Sequence, residues 1–147
     1  MNITILCAGS LKEKYLKDAE KEYLKRLSRY AKVTVTETKE YDYIEKEGEE
    51  LLKKIKEDSF AIALAICGDA MSSKELALYL EGLGIKGESN ITFVIGGSDG
   101  LSNKVLEKAD SILSFSKLTF PHQLMRIFLL EQIYRSFKII KNEPYHK

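Results

Sequence analysis

Gly96, Gly97, Ser98, Asp99 and Gly100 follow the apolar run Ile91 to Ile95. Three glycines in five residues let backbone amides approach a ligand more closely than side chains would allow. The same residues spell G-x-S-x-G at Gly96, Ser98 and Gly100, the strand-to-helix turn that exposes a nucleophilic serine in hydrolases. Asp99 or Asp110 with His122 or His146 could complete a triad in the order Ser, Asp, His, although 147 residues leave little room for the sheet and lid of such enzymes. The pattern is not G-x-G-x-x-G, and the first apolar run is followed only by Ala8, Gly9 and Ser10, so a dinucleotide fingerprint is poorly supported. A tight strand-to-helix turn with no ligand is the plain structural reading.

Titratable groups collect again towards the C-terminus. His122 follows Pro121, which suits the first position of a helix. Arg126, Arg135 and Lys138 lie on the polar side of that helix, where Glu131 can pair with Arg135 at i,i+4. Pro144 cannot continue the helix, yet Tyr145, His146 and Lys147 follow it. Such an ending either frays or folds back over the strand ends, where an aromatic ring and an imidazole could stack on an RNA base and contact its edge.

The elements that would position these residues are legible as alternation of strand and helix. Apolar, β-branched runs at Ile3 to Cys7, Lys32 to Glu37, Phe60 to Ile66, Ile91 to Ile95 and Ser111 to Ser116 are each followed by helical sequence. Runs three and four are nearly continuous, as central parallel strands covered on both faces require. Ser10 with Glu13 and Ser72 with Glu75 spell capping boxes for two helices, the first carrying Leu11, Tyr15, Ala19, Tyr23 and Leu27 and ending near Tyr30, the second ending near Glu81 before Gly82, Gly84 and Gly87. Between Tyr43 and Glu57 the spacing pairs Glu49 with Lys53 and Glu50 with Lys54, buries Ile44, Leu51 and Ile55, and reads as a solvated helix face. The 121–141 helix is apolar on more than one face, which calls for a second subunit against it or a fully internal position; a homodimer interface is the favoured expectation. Open parallel sheets bind ligands beyond the carboxyl ends of their strands, so the loops after runs three, four and five are the candidate site.

Length and charge bound the partners. At 147 residues the chain has room for one domain, 1–147. A net charge of +1 excludes strong non-specific nucleic-acid binding, but residues 104–147 carry eight Lys/Arg against four Asp/Glu, so any basic surface is C-terminal. Cys7 and Cys67 are sixty positions apart and read as buried free thiols; with two histidines in all, no zinc-ligand spacing forms and no metal is expected. The short apolar run at the N-terminus suits neither a signal sequence nor a membrane span, so no membrane partner and a cytoplasmic location are expected.

FVIGGSDGL at 93–101, LSFSKLTFPHQLMR at 113–126, EQIYR at 131–135 and PYHK at 144–147 together resemble the RlmH family of SPOUT-class ribosomal RNA methyltransferases, and the likeness extends over the whole chain. The resemblance implies an α/β fold with a trefoil knot in the C-terminal half, a homodimer through the 121–141 helix, and S-adenosylmethionine as methyl donor. The implied reaction is methylation of N3 of pseudouridine 1915 in 23S ribosomal RNA on the assembled ribosome. Carried over residue by residue, the cofactor would contact Leu64, Gly96, Phe115, Ser116, Lys117, Leu118, Thr119 and Phe120. His122, His146 and the Tyr145 hydroxyl are the candidates for the proton transfer, with Arg126 to stabilise charge on the uracil oxygen. Where the family has an acidic residue and a lysine near the end of the third strand, this chain has Ala65 and Asp69. Read without the resemblance, the residues leave three classes open: an RNA methyltransferase, a serine hydrolase using Ser98, and a non-catalytic nucleotide-binding module.

Overall fold

The computed structural model describes residues 1–147. Strands and helices alternate strictly: β1 Asn2–Ala8, α1 Lys14–Leu27, β2 Lys32–Thr38, α2 Ile44–Lys54, β3 Phe60–Ala70, α3 Ser73–Ile85, β4 Asn90–Ile95, α4 Asn103–Lys108, β5 Ser111–Ser114 and α5 His122–Ile140. The strands form one sheet in the order β2-β1-β4-β3-β5, and every pairing is parallel. This is the α/β architecture expected from the five runs. All five carboxyl ends therefore open on the same rim.

Alternation along the strands divides the core into two layers. Ile3, Ile5, Ile62, Ile91 and Phe93 face Leu27 of α1, Leu76, Leu80 and Leu83 of α3, and Leu129, Leu130, Ile133 and Phe137 of α5. On the opposite face Leu6, Ala8, Ala61, Ala63 and Val94 meet Leu51 of α2 and Val105 of α4. Burying each of the larger side chains stabilises the fold by about 1.5–3 kcal/mol. Lying between α1 and α3, α5 has most of its apolar residues covered within the chain, while Phe128 stays 42% exposed.

Four local expectations are corrected. The Ser10–Glu13 capping box does not form: α1 starts at Lys14, Glu13 occupies the cap without a side-chain bond, and Leu16 is buried in place of Tyr15. Leu11 packs with Leu16 and Ile127, and the Lys12 N–H donates to Gln123 Oε1 at 3.0 Å, so tertiary contacts hold this segment outside the helix. In contrast, the Ser72–Glu75 box is complete, but α3 runs on through Gly82 and Gly84 because Leu80 and Leu83 keep its face in the core. On α2, Glu50 pairs with Lys53 and Lys46 rather than Lys54, Ile44 is half-buried, and Glu47 is buried.

The fourth correction concerns Cys67, which is exposed because β3 bulges between Leu64 and Asp69, both of which pair with Leu113. Burial pushes the Cys7 thiol up to about 12, only partly offset by Arg126. Thiolate is the reactive form, so Cys7 is inert in the native state. A disulfide reagent is expected to titrate one thiol in native protein and two after unfolding; two fast equivalents without denaturant would contradict this placement.

Candidate functional site

Where β3, β4 and β5 end, the chain encloses a cavity of about 480 Å³. That is within the roughly 300–1,000 Å³ of small-molecule pockets. Leu64 and the bulge Ala65–Cys67 form one wall, Ile95 to Leu101 a second, and Phe115, Ser116 and Leu118 to Phe120 a third, with His122 and Met125 of α5 completing the lining. It is mainly apolar, with backbone polar groups along two of its walls.

The second wall is a tight turn. Gly100 donates its N–H to the Gly97 carbonyl at 3.1 Å and takes a φ of +81°, a conformation that favours glycine. A Cβ on Gly96 would stand 2.3 Å from the Gly100 carbonyl oxygen, so the chain closes on itself there with no room for a side chain. In the third wall, Ser114 Oγ donates to the Ser116 carbonyl at 3.1 Å and the Leu118 N–H donates to Ser116 Oγ at 3.0 Å. These bonds set the first bend after β5. Phe120 then packs edge-on against Phe128 at 5.8 Å.

Of the residues expected around a cofactor, Leu64, Gly96, Phe115, Ser116, Leu118, Thr119 and Phe120 all line this cavity. Lys117 is exposed and is not part of the wall. His122 lines it too; its Nε2 is buried without a hydrogen bond, 3.2 Å from Glu40 Oε1 but off the bonding angle. The sequence reading missed Ile95, Leu106 and Met125 because core residues and cavity walls share one composition.

Contrary to expectation, Arg126 does not lie on an exposed polar side of α5 but is buried. Its side chain is 3% exposed and does not reach the cavity: Nη1 donates to Glu37 Oε2 at 2.7 Å and Glu20 Oε2 at 3.2 Å, and Nη2 to the Gly9 carbonyl at 3.0 Å. Burial opposes the charge, but the pull of Cys7 and the bonds to Glu37 and Glu20 outweigh it, and the guanidinium is raised above its ordinary value. Tyr145 and His146 also lie off this cavity. The tail folds back on α5, where the Tyr145 hydroxyl donates to Glu131 Oε1 at 3.1 Å and His146 Nδ1 is 3.1 Å from Arg135 Nη1. Burial, then the Glu131 charge, raises the Tyr145 phenol. A second cavity of about 560 Å³ lies beside this tail anchor; it includes Glu131, Gln132 and Arg135 and shares Leu113, Phe115 and Phe120 with the first.

No serine triad is assembled. Ser98 is exposed and bonds to neither histidine, while the Asp110 carboxylate accepts from the Ala61 N–H at 2.8 Å near the start of β3, at the opposite end of the sheet. An activated nucleophile needs its base in reach, and that base needs an orienting group.

Over residues 1–146 the chain matches the family described as "Predicted SPOUT methyltransferase". The chain belongs to the SPOUT methyltransferase family. Curated relatives from Clostridium perfringens strain SM101 and Clostridium tetani strain Massachusetts, at 52% and 53% identity over 159 aligned residues and the full length of both chains, carry the names ribosomal RNA large subunit methyltransferase H 1 and H. Solved structures share the fold: a probable methylase family protein from Haemophilus influenzae superposes with a TM-score of 0.58 at 13% identity, covering 99% of this chain and 70% of that one. A probable methyltransferase from Bordetella pertussis gives 0.55 at 12%, covering 91% and 95%.

As a SPOUT methyltransferase, the protein is an enzyme whose relatives act on large-subunit ribosomal RNA. No helix is long and apolar enough to cross a membrane.

Proposed function

We propose that this SPOUT methyltransferase transfers the methyl group of S-adenosylmethionine to N3 of pseudouridine 1915 in 23S ribosomal RNA, on the assembled ribosome in the cytoplasm. The observation that carries the reading is the strand-end cavity, bounded by the glycine turn and the 115–120 segment, in a chain with full-length relatives of that name. The donor set suits an adenine nucleoside. Leu64, Phe115 and Leu118 would cover the faces of the base, backbone groups of 115–120 would read its edge, and Gly96 leaves room where a Cβ would collide with the turn.

When bound, S-adenosylmethionine supplies an electrophilic methyl group on a sulfonium. The protein's share is to hold the uracil nitrogen in line and accept its imino proton. His122 is the cavity residue suited to the proton, with Glu40 beside it to stabilise the imidazolium. His146 and Tyr145 do not line their own chain's cavity. We assign them to the substrate side of a partner subunit's site, in a homodimer formed through the 121–141 helix around Phe128. The trefoil knot of the C-terminal half belongs to the same reading.

Calorimetric titration with S-adenosylmethionine, followed by mapping of labelled methyl groups on ribosomes lacking the modification, tests the whole. One site per chain and a single new methyl at N3 of that pseudouridine are expected; no heat of binding, or methyl groups elsewhere, would overturn it. Gly96→Ala is expected to weaken cofactor binding by at least tenfold, because its Cβ meets backbone atoms of Gly100 and Leu101 that can move only by opening the turn. The strain is about 1–3 kcal/mol. Unchanged affinity in the same titration would show that the turn does not touch the cofactor.

A further inference from the structure

Glu47 is the one acidic side chain that the fold buries, at 5% exposure, and it has no cationic partner. A buried carboxylate without a counter-charge is costly unless its oxygens are satisfied. Here both are. Oε1 accepts from the Gly97 N–H at 3.0 Å and Oε2 from the Tyr41 N–H at 3.0 Å. One side chain thus joins the glycine turn after β4 to the connection between β2 and α2, which carries Glu40, the neighbour of His122.

The fit around this carboxylate is close on every side. A Cβ on Gly97 would stand 2.8 Å from Glu47 Oε1, and one on the adjacent Gly48 would stand 2.1 Å from Ser102 Oγ. Ser102 in turn caps α4 by accepting from the Val105 N–H. A glycine inside α2 costs about 1 kcal/mol of helix stability relative to alanine. What it permits is the seating of α2 directly on the residues that follow the turn.

Peptide planarity converts the anchor into an orientation. In a trans peptide the carbonyl of residue 96 and the N–H of residue 97 point in opposite directions. Fixing the Gly97 N–H on Glu47 therefore turns the Gly96 carbonyl away from α2. Gly96 lines the cavity and Glu47 does not.

We infer that Glu47 is a positioning residue for the cofactor: by anchoring the Gly97 amide it presents the Gly96 carbonyl to the cavity as a preformed acceptor and holds the Glu40 connection in register with it. This rests on the proposal that S-adenosylmethionine occupies the cavity, and it identifies which residue outside the wall sets the wall's polarity. Glu47→Gln keeps the shape but leaves one acceptor oxygen for two amides. Glu47→Asp keeps the charge but is one methylene too short to span both.

The test uses full-length protein and three titrations with S-adenosylmethionine. Wild type is expected to bind. Glu47→Gln is expected to bind at least tenfold more weakly, with KM for the cofactor raised in proportion while kcat at saturating cofactor stays within about threefold. Leu51→Ala, which opens the core under the same helix, is expected to lower the melting temperature without changing cofactor affinity where it is folded. Equal affinity of Glu47→Gln and wild type would overturn the inference, as would a loss in Leu51→Ala equal to that in Glu47→Gln, which would make Glu47 merely structural. Failure of wild type to bind would instead reject the occupancy of the cavity. If Glu47→Gln does not fold, amide exchange in wild type decides. The Tyr41 amide, which is not in the cavity wall, is expected to exchange more slowly once the cofactor is bound, since it shares its carboxylate with Gly97. An unchanged Tyr41 rate would overturn the coupling.

Discussion

Removal of residues 144–147 is expected to lower methyl transfer by about 10²-fold or more, the scale on which a positioned acid–base group acts, and to leave cofactor affinity within twofold of wild type. Asn142, at a φ of +54°, ends α5, and Pro144 then sends the chain back along it. The Tyr145 ring meets Tyr134 edge-on at 4.9 Å and lies under Arg135 at 4.8 Å. Every anchor of the tail is on α5, and none is in the sheet. An aromatic pair of this kind stabilises by about 0.5–1.5 kcal/mol beyond its buried area, so the truncated protein should remain folded.

The cofactor cavity contains no residue of the tail from its own chain, which is why affinity should survive. Single-turnover transfer to ribosomes, alongside calorimetry, separates the two effects. If the tail serves a partner's site, mixing truncated chains with Gly96→Ala chains should restore part of the activity, because one mixed site then has both a sound cavity and a tail. Unchanged turnover by the truncated protein would remove Tyr145 and His146 from the reaction.

What could be read in advance follows from how local each signal is. The β-branched runs located all five strands; the central ones, buried on both faces, leave a nearly continuous apolar record, whereas the edge strand β2 has no buried residue. Ser72 and Glu75 located α3, since a capping box is satisfied by residues three apart. The identical spelling at Ser10 and Glu13 failed because Leu11 and Lys12 are held by Ile127 and Gln123, more than a hundred positions away. Leu64, Gly96 and Phe115 were found through the family's motifs, whereas the walls added by Ile95, Leu106 and Met125 resemble core. Glu47 was read as part of a solvated face because its helix is charge-dense. The approach of Gly97, fifty residues on, together with the Tyr41 amide makes it a buried acceptor. Its one local trace was Gly48, a glycine where the helical pattern had no use for one.

Replacement of Arg126 by alanine is expected to cost about 3 kcal/mol of stability while sparing the chemistry. Breaking a buried ion pair from one side costs about 3–5 kcal/mol. The low end applies because Glu37 and Glu20, at 39% and 19% exposure, can regain water when the guanidinium is gone. For a chain of this size each kcal/mol moves the melting temperature by roughly 2–4 °C, so a fall of about 6–12 °C should be seen. Lysine should rescue little, since a single ammonium cannot reproduce the planar fork that reaches Glu37, Glu20 and the Gly9 carbonyl together. In a Glu37→Gln background the penalty of Arg126→Ala should shrink, and urea denaturation of the four proteins of that cycle measures by how much. Below the melting transition, single-turnover methyl transfer by Arg126→Ala should stay within about threefold of wild type if the guanidinium acts only by tying α5 to β1, β2 and α1. A loss of about 10²-fold in a protein that is folded and binds cofactor normally would put Arg126 back on the uracil oxygen, and would require its ion pairs to open when substrate arrives.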